Sequence, residues 1–239
     1  MASVKDAVEE SLQDNNAIIK YIVFTIPLFY TVTLMLQGNN SGLFFTVLVL
    51  TFLLLFGFML KCTYNVRNGN ICVLPSFNIF SIFWDGIKGS IALAPLSIVS
   101  FIIYGTVTKL ISPYLPEGTF LNVFNGIIAA LCVSFAFTGY LLYTKKFSIF
   151  DAYNIKAISK YCADVMIAMF FMAIQVVIVN AIILIPVTYV IWLFFGIPNP
   201  VAIYFWSMVG ILNLAIMGHY LAQIHYEVIE TDENADKII

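Results

Sequence analysis

Residues 65–110, NVRNGNICVLPSFNIFSIFWDGIKGSIALAPLSIVSFIIYGTVTKL, decide the fold class, because here a run of oily helix breaks, turns and resumes. Asn68-Gly69 is a strong turn dipeptide, and Pro75-Ser76 supplies a fixed φ followed by a hydroxyl able to cap a helix. Phe80, Phe83, Trp84 and Ile87 then recur at helical spacing opposite Ser81, Asp85 and Lys88. That pattern predicts an amphipathic helix lying along a bilayer, followed by a membrane span.

The rest of the chain is as oily as this stretch requires. Of its 239 residues 62% are hydrophobic and only 10% charged, against roughly 25% charged in an ordinary soluble domain. With about 20 apolar residues needed per crossing, there is room for about six spans. The sequence places them at 17–36, bent at Pro27; at 43–60, ended by Lys61; at 87–110, kinked at Pro95; at 122–143, closed by Lys145 and Lys146; at 165–195, kinked at Pro186; and at 201–226.

Two further amphipathic segments join them. Residues 3–16 form a short helix with a capping box of Ser3 and Asp6 and an apolar stripe of Val4, Val8 and Leu12 that rests on the membrane surface. Residues 148–164 form another, with Ser148 and Asp151 as capping box. The expected fold is an all-α membrane protein, one polytopic domain over 1–239, with a charged tail at 228–239. Ser81-Ile82-Phe83 before Ile87-Lys88 resembles Ser148-Ile149-Phe150 before Ile155-Lys156, which suggests a parallel internal repeat.

Lys and Arg near span ends favour the cytoplasmic side. With the N-terminus inside, Lys5, Lys20, Lys61, Arg67, Lys88, Lys145, Lys146, Lys156, Lys160 and Lys237 are cytoplasmic and only Lys109 is outside. Both termini are therefore expected in the cytoplasm and the chain in the cell membrane. No cleavable signal is expected, since the N-terminus is acidic and no small-residue cleavage site follows a short apolar core.

NVRNGN, LPSF and FWDGIKG, preceded by DNNAIIKYIV and followed by GHYLAQIHYE at 218–227, resemble the prokaryotic integral-membrane family called domain of unknown function 4013. The resemblance runs over nearly the whole chain and implies fold and membrane location, with no activity attached.

Polar groups inside a bilayer raise a functional question first. At about 100° per residue, Asn213, Tyr220, Gln223 and Glu227 share an arc of the sixth span, with His219 beside it, and Asp164 and Gln175 return to nearly one angle on the fifth, while Asn180 points elsewhere. This stripe is a candidate polar pathway between those two helices, or a set of interhelical hydrogen bonds. The second candidate is an inner-leaflet surface of Phe80, Phe83, Trp84, Lys88, Phe150, Lys156 and Lys160, where aromatics and lysines favour lipid or a partner helix.

Other chemistry finds little footing. The net charge of −2 with a single arginine excludes a nucleic-acid footprint. Cys62, Cys72, Cys132 and Cys162 make no metal or redox spacing, and His219 and His225, six apart, diverge unlike a helical metal pair. No cofactor and no catalytic triad is expected, so the chain is read as a non-enzymatic module binding membrane lipids, a partner membrane protein or a second copy of itself. The alternative is a small permease with a pathway along the fifth and sixth spans.

Overall fold

The computed structural model describes residues 4–13, 16–38, 41–70, 72–115, 118–196 and 199–231. Ser3, the expected first cap, and residues 232–239 of the tail lie outside them. Among the described residues the chain forms eight α-helices: α1 (Val4–Gln13), α2 (Ala17–Leu36), α3 (Gly42–Arg67), α4 (Ile79–Ile111), α5 (Thr119–Lys146), α6 (Ile149–Ala152), α7 (Ile155–Phe195) and α8 (Pro200–Ile224). A 3-10 turn, Ser112–Tyr114, follows α4, and a π-helical segment, His225–Glu230, follows α8; no strand occurs among these residues. The six long helices α2, α3, α4, α5, α7 and α8 are each apolar enough to cross a membrane.

The helix boundaries follow from asparagine chemistry. The Asn68-Gly69 turn ends α3, with Gly69 at φ 63° and its N–H donating to Val66 O at 3.0 Å. α4 is capped by Asn78, whose Oδ1 accepts from Ser81 N at 3.0 Å, rather than by Ser76. Asn154 caps α7 through Ala157 N at 3.1 Å, and Asn199 caps α8 through Ala202 N at 2.9 Å. Ser148 accepts from Asp151 N at 3.3 Å and so starts only the four-residue α6.

The amphipathic stretch at 80–88 is helical as expected, whereas the single helix expected over 148–164 breaks at Tyr153 and Asn154 into α6 and the start of α7; α4 and α7 each run without a break into their spans. α4 therefore holds 33 residues and α7 holds 41, about 50 and 60 Å at 1.5 Å per residue, with Pro95 and Pro186 inside them. The corresponding starts are Asn78 and Asn154, whereas the Ser81 and Ser148 that the repeat aligns occupy a first helical turn and a cap.

The chain divides into two compact units. The first is Met1–Lys88 with Met172–Gln223. Its core joins Ala17, Tyr21 and Phe24 of α2, Leu54, Phe58 and Cys62 of α3, Leu74 of the following loop, Ile82 of α4, and Ile211 and Ala215 of α8. The Phe24 and Phe58 rings meet at 4.9 Å. α3 and α4 cross at two glycines: a Cβ on Gly57 would overlap Ile82 O, and one on Gly86 would overlap Leu53 O. Gly218 of α8 sits over another face of α3, where a Cβ would come within 2.8 Å of Cys62 Cβ and 3.0 Å of Met59 O.

The second unit is Gly89–Phe171 with Ile224–Ile239. Gly139 of α5 packs on Leu96 of α4 and the Ala152 carbonyl, and Tyr153 OH donates to Ala92 O at 2.7 Å. Only 6% of the most apolar window is buried in α5, and likewise in α7, against 39% in α3 and 44% in α8. These windows of α5 and α7 are thus largely uncovered, as on lipid-facing helices, whereas Ser134 and residues 138–144 of α5 are buried.

Gly57→Ala and Gly86→Ala are expected to lower stability in detergent by roughly 1–3 kcal/mol each, the usual cost of overpacking, because the obstructing atoms are backbone. Gly105→Ala, with nothing within 4 Å of the added methyl, serves as the control and should be neutral or stabilising in the same thermal melts.

Candidate functional site

The loop between α3 and α4 turns inward. Val73, Leu74 and Pro75 are buried, so their carbonyls need donors other than water. Asn65 Nδ2 donates to Val73 O at 3.2 Å, and the buried Lys20 Nζ donates to Leu74 O at 3.3 Å. Asn70 Nδ2 in turn donates to Asn65 Oδ1 at 3.1 Å, which fixes the Asn65 amide.

Beside the glycine crossing of the first unit lies an ion pair. Lys61 Nζ is 2.8 Å from Asp85 Oδ2, with side chains 26% and 17% exposed, close in distance although not in full hydrogen-bond alignment. Lys61 stands six residues before the end of α3 and Asp85 six after the start of α4, so each charge sits about 9 Å inside its helix. Asp85 was expected on a solvated surface face; it is turned onto α3 instead, because Gly57 and Gly86 bring the two backbones together one turn away.

A second pair joins the N-terminal helix to α8. His219 Nε2 lies 2.7 Å from Glu10 Oε2, while His219 itself is buried and its Nδ1 has no partner. Further along α8, Asn213 Nδ2 donates to Asn180 Oδ1 at 2.8 Å and Asn180 Nδ2 to Asn213 Oδ1 at 2.9 Å, a reciprocal amide pair with α7. Trp206 Nε1 donates to Thr188 Oγ1 at 2.9 Å on the same helix pair.

The expected polar stripe is distributed accordingly. Asn213 and His219 belong to the first unit with the partners just given, as do the buried Tyr220 and the half-buried Gln175 and Gln223. Asp164 and Glu227 fall in the second unit and are exposed, Glu227 within the π-helical segment. In that segment the buried His225 places Nδ1 3.4 Å from Glu230 Oε1. Asn180, set aside by helical angle, is the partner Asn213 uses, and a half-buried amide facing α8 tolerates the angular offset because its side chain has two rotatable bonds.

The aromatic surface residues divide likewise. On α4, Phe80 (77% exposed), Trp84 and Lys88 are all exposed and four residues apart, with Lys88 Nζ 5.9 Å from the Trp84 ring centroid, and Phe83 is half-buried. In the second unit Phe150 is 90% exposed, and Lys156 and Lys160 are exposed.

Sequence reasoning missed the pairing of Lys61 with Asp85 and of Glu10 with His219. The first had a readable signal: the opposite charges lie at equal distances from residue 73, at the centre of the turn between antiparallel helices. The second had none, since 209 residues separate its partners. Among the described residues no group of three or more His, Cys, Asp or Glu gathers to hold a metal, and all four cysteines are free thiols. No protein-family model matches the chain, and no curated protein or solved structure matches it either.

Removing one partner of a partly buried pair strands the other charge, at about 1–3 kcal/mol or somewhat more. Asp85→Leu and Lys61→Met are each expected to destabilise the protein by that order, while the double variant recovers most of the loss. A double-mutant cycle of thermal stability in detergent measures it, and an additive double variant would contradict the pairing.

Proposed function

We propose that the chain is a lipid-binding membrane module whose principal site is on the first unit, where the start of α4 meets α2 and α3. The observation that carries this reading is a groove of about 640 Å³ lined by Pro27, Tyr30, Leu50, Leu54, Phe80 and Phe83. It adjoins the exposed Phe80, Trp84 and Lys88 stripe of α4. An apolar groove takes an acyl chain, an aromatic stripe favours the headgroup region, and a lysine attracts an anionic headgroup by roughly 1 kcal/mol. Phe150, Lys156 and Lys160 of the second unit supply the same chemistry on another surface.

The permease reading draws less support. Asn213 and His219, the centre of the expected pathway, are occupied by Asn180 and Glu10. Two grooves in the second unit are lined chiefly by apolar residues, Val123, Ile127, Met166 and Phe170 in one and Phe101, Ala129, Val133 and Phe137 in the other. The proposed role contains no chemical step, and membership in the family of domain of unknown function 4013 belongs to the same proposal.

For orientation we propose both termini on the cytoplasmic side, on the ten-to-one distribution of Lys and Arg. In a background whose four native cysteines are replaced, single cysteines at Ser41 and Ser112 should react with an impermeant reagent from outside, and one at Asn68 only from inside. The reverse pattern would invert the topology.

For lipid binding, native mass spectrometry of protein released from mixed anionic and zwitterionic nanodiscs gives the measurement. Lys88→Glu should lower the preference for anionic lipid by about fivefold or more, given roughly 1 kcal/mol per charge. Leu50→Trp, which fills the groove, should lower the number of lipids retained. Unchanged lipid retention in both variants would remove the reading.

A further inference from the structure

The helix that precedes the first span has two faces with different destinations. Ala7 and Ser11, one turn apart on α1, are fully buried against the first unit, and Tyr21 OH donates to Ser11 O at 3.4 Å. Val8 is half-buried and Leu12 is 54% exposed. The apolar stripe that the sequence assigns to the membrane surface is thus not the face that docks.

This arrangement leaves docking with little hydrophobic drive. An alanine and a serine remove few methylene-sized groups from water, at about 0.8 kcal/mol for each CH₂, and the Ser11 hydroxyl is buried without a partner. α1 is attached outside its own sequence neighbourhood by the 2.7 Å contact of Glu10 with His219 on α8. A hydrogen bond to an ionised carboxylate in a partly buried setting is among the stronger kinds. A second resting place competes with it, because Val8 and Leu12 suit a headgroup boundary. Opposing that second place is charge: Lys5 against Asp6, Glu9 and Glu10 gives α1 a net charge of −2, which an anionic leaflet repels.

We propose that α1 is a releasable strap, closed over α8 by Glu10 and His219 and opened onto the membrane surface when that contact is lost. In the closed position it covers His219; in the open position His219 becomes accessible and Val8 and Leu12 enter the interface. Anionic lipid favours the closed position by repelling α1, and zwitterionic lipid favours release. The inference stands apart from the lipid groove, which uses neither Glu10 nor His219.

Hydrogen–deuterium exchange of the full chain in nanodiscs reads the strap directly through the amides of residues 8–13. Glu10→Gln and His219→Leu should each speed exchange there at least tenfold, with protection of α3 unchanged, and the double variant should be no faster than either single one. Ala7→Leu, which overfills the docking face without touching the pair, should also release the strap. In the native chain, anionic nanodiscs should give slower exchange of α1 than zwitterionic ones. If Ala7→Leu speeds exchange while Glu10→Gln and His219→Leu do not, the pair is not the latch and the proposal fails. It fails equally if the double variant is additive, or if the native strap ignores lipid charge. Should His219→Leu lose α3 protection as well, Glu10→Gln, at an exposed carboxylate, decides by itself.

Discussion

The first unit depends on the crossing of α3 and α4 at Gly57 and Gly86, where carbonyl oxygens of one helix occupy the space a Cβ of the other would fill. Between apolar helices in an apolar solvent there is no hydrophobic force to bring them together, so close backbone approach and van der Waals contact supply it. Once the helices touch there, the rest of their geometry follows. Ile82 enters the core beside Phe58, Lys61 and Asp85 are brought to 2.8 Å, and the loop between the helices is forced inward with its buried carbonyls. Those carbonyls then require Asn65 and Lys20.

α3 consequently has partners on more than one face. Gly86 lies on one face and Gly218 on another, each where a larger residue would not fit. Polar residues of the unit are paired within this packing: carboxylate with ammonium, imidazole with carboxylate, amide with amide. Each pairing removes a group that would be costly alone in hydrocarbon. The exposed chemistry lies elsewhere, on the α4 stripe and in the groove beside it, which is why lipid contact is the function this geometry favours.

The contrast between helices is itself informative. The most apolar windows of α5 and α7 bury 6% of their residues, against 39% in α3 and 44% in α8, and where α5 and α7 do meet neighbours small or polar residues stand at the contact, Gly139 on α5 and Asn180 and Thr188 on α7.

The sequence by itself determined the class: six spans, their centres, the three internal prolines and the Asn68-Gly69 turn were all readable, because apolar length and turn residues act locally. It also named Phe80, Phe83, Trp84 and Lys88 as surface candidates, but its helical period set Lys88 opposite the aromatics, whereas Phe80, Trp84 and Lys88 share one exposed stripe and Phe83 is half-buried. The caps at Asn78, Asn154 and Asn199 were legible in principle, since an asparagine before an apolar run is a local signal, but Ser76 and Ser148 offered the same chemistry nearby. Only the tertiary structure decided the partners. Whether Asp85 meets water or Lys61, whether Asn213 meets Asn180, and whether α1 lies on lipid or on His219 depend on which helix faces come together. That choice is made by glycines whose missing side chains leave no periodic trace, and by pairings across as many as 209 residues.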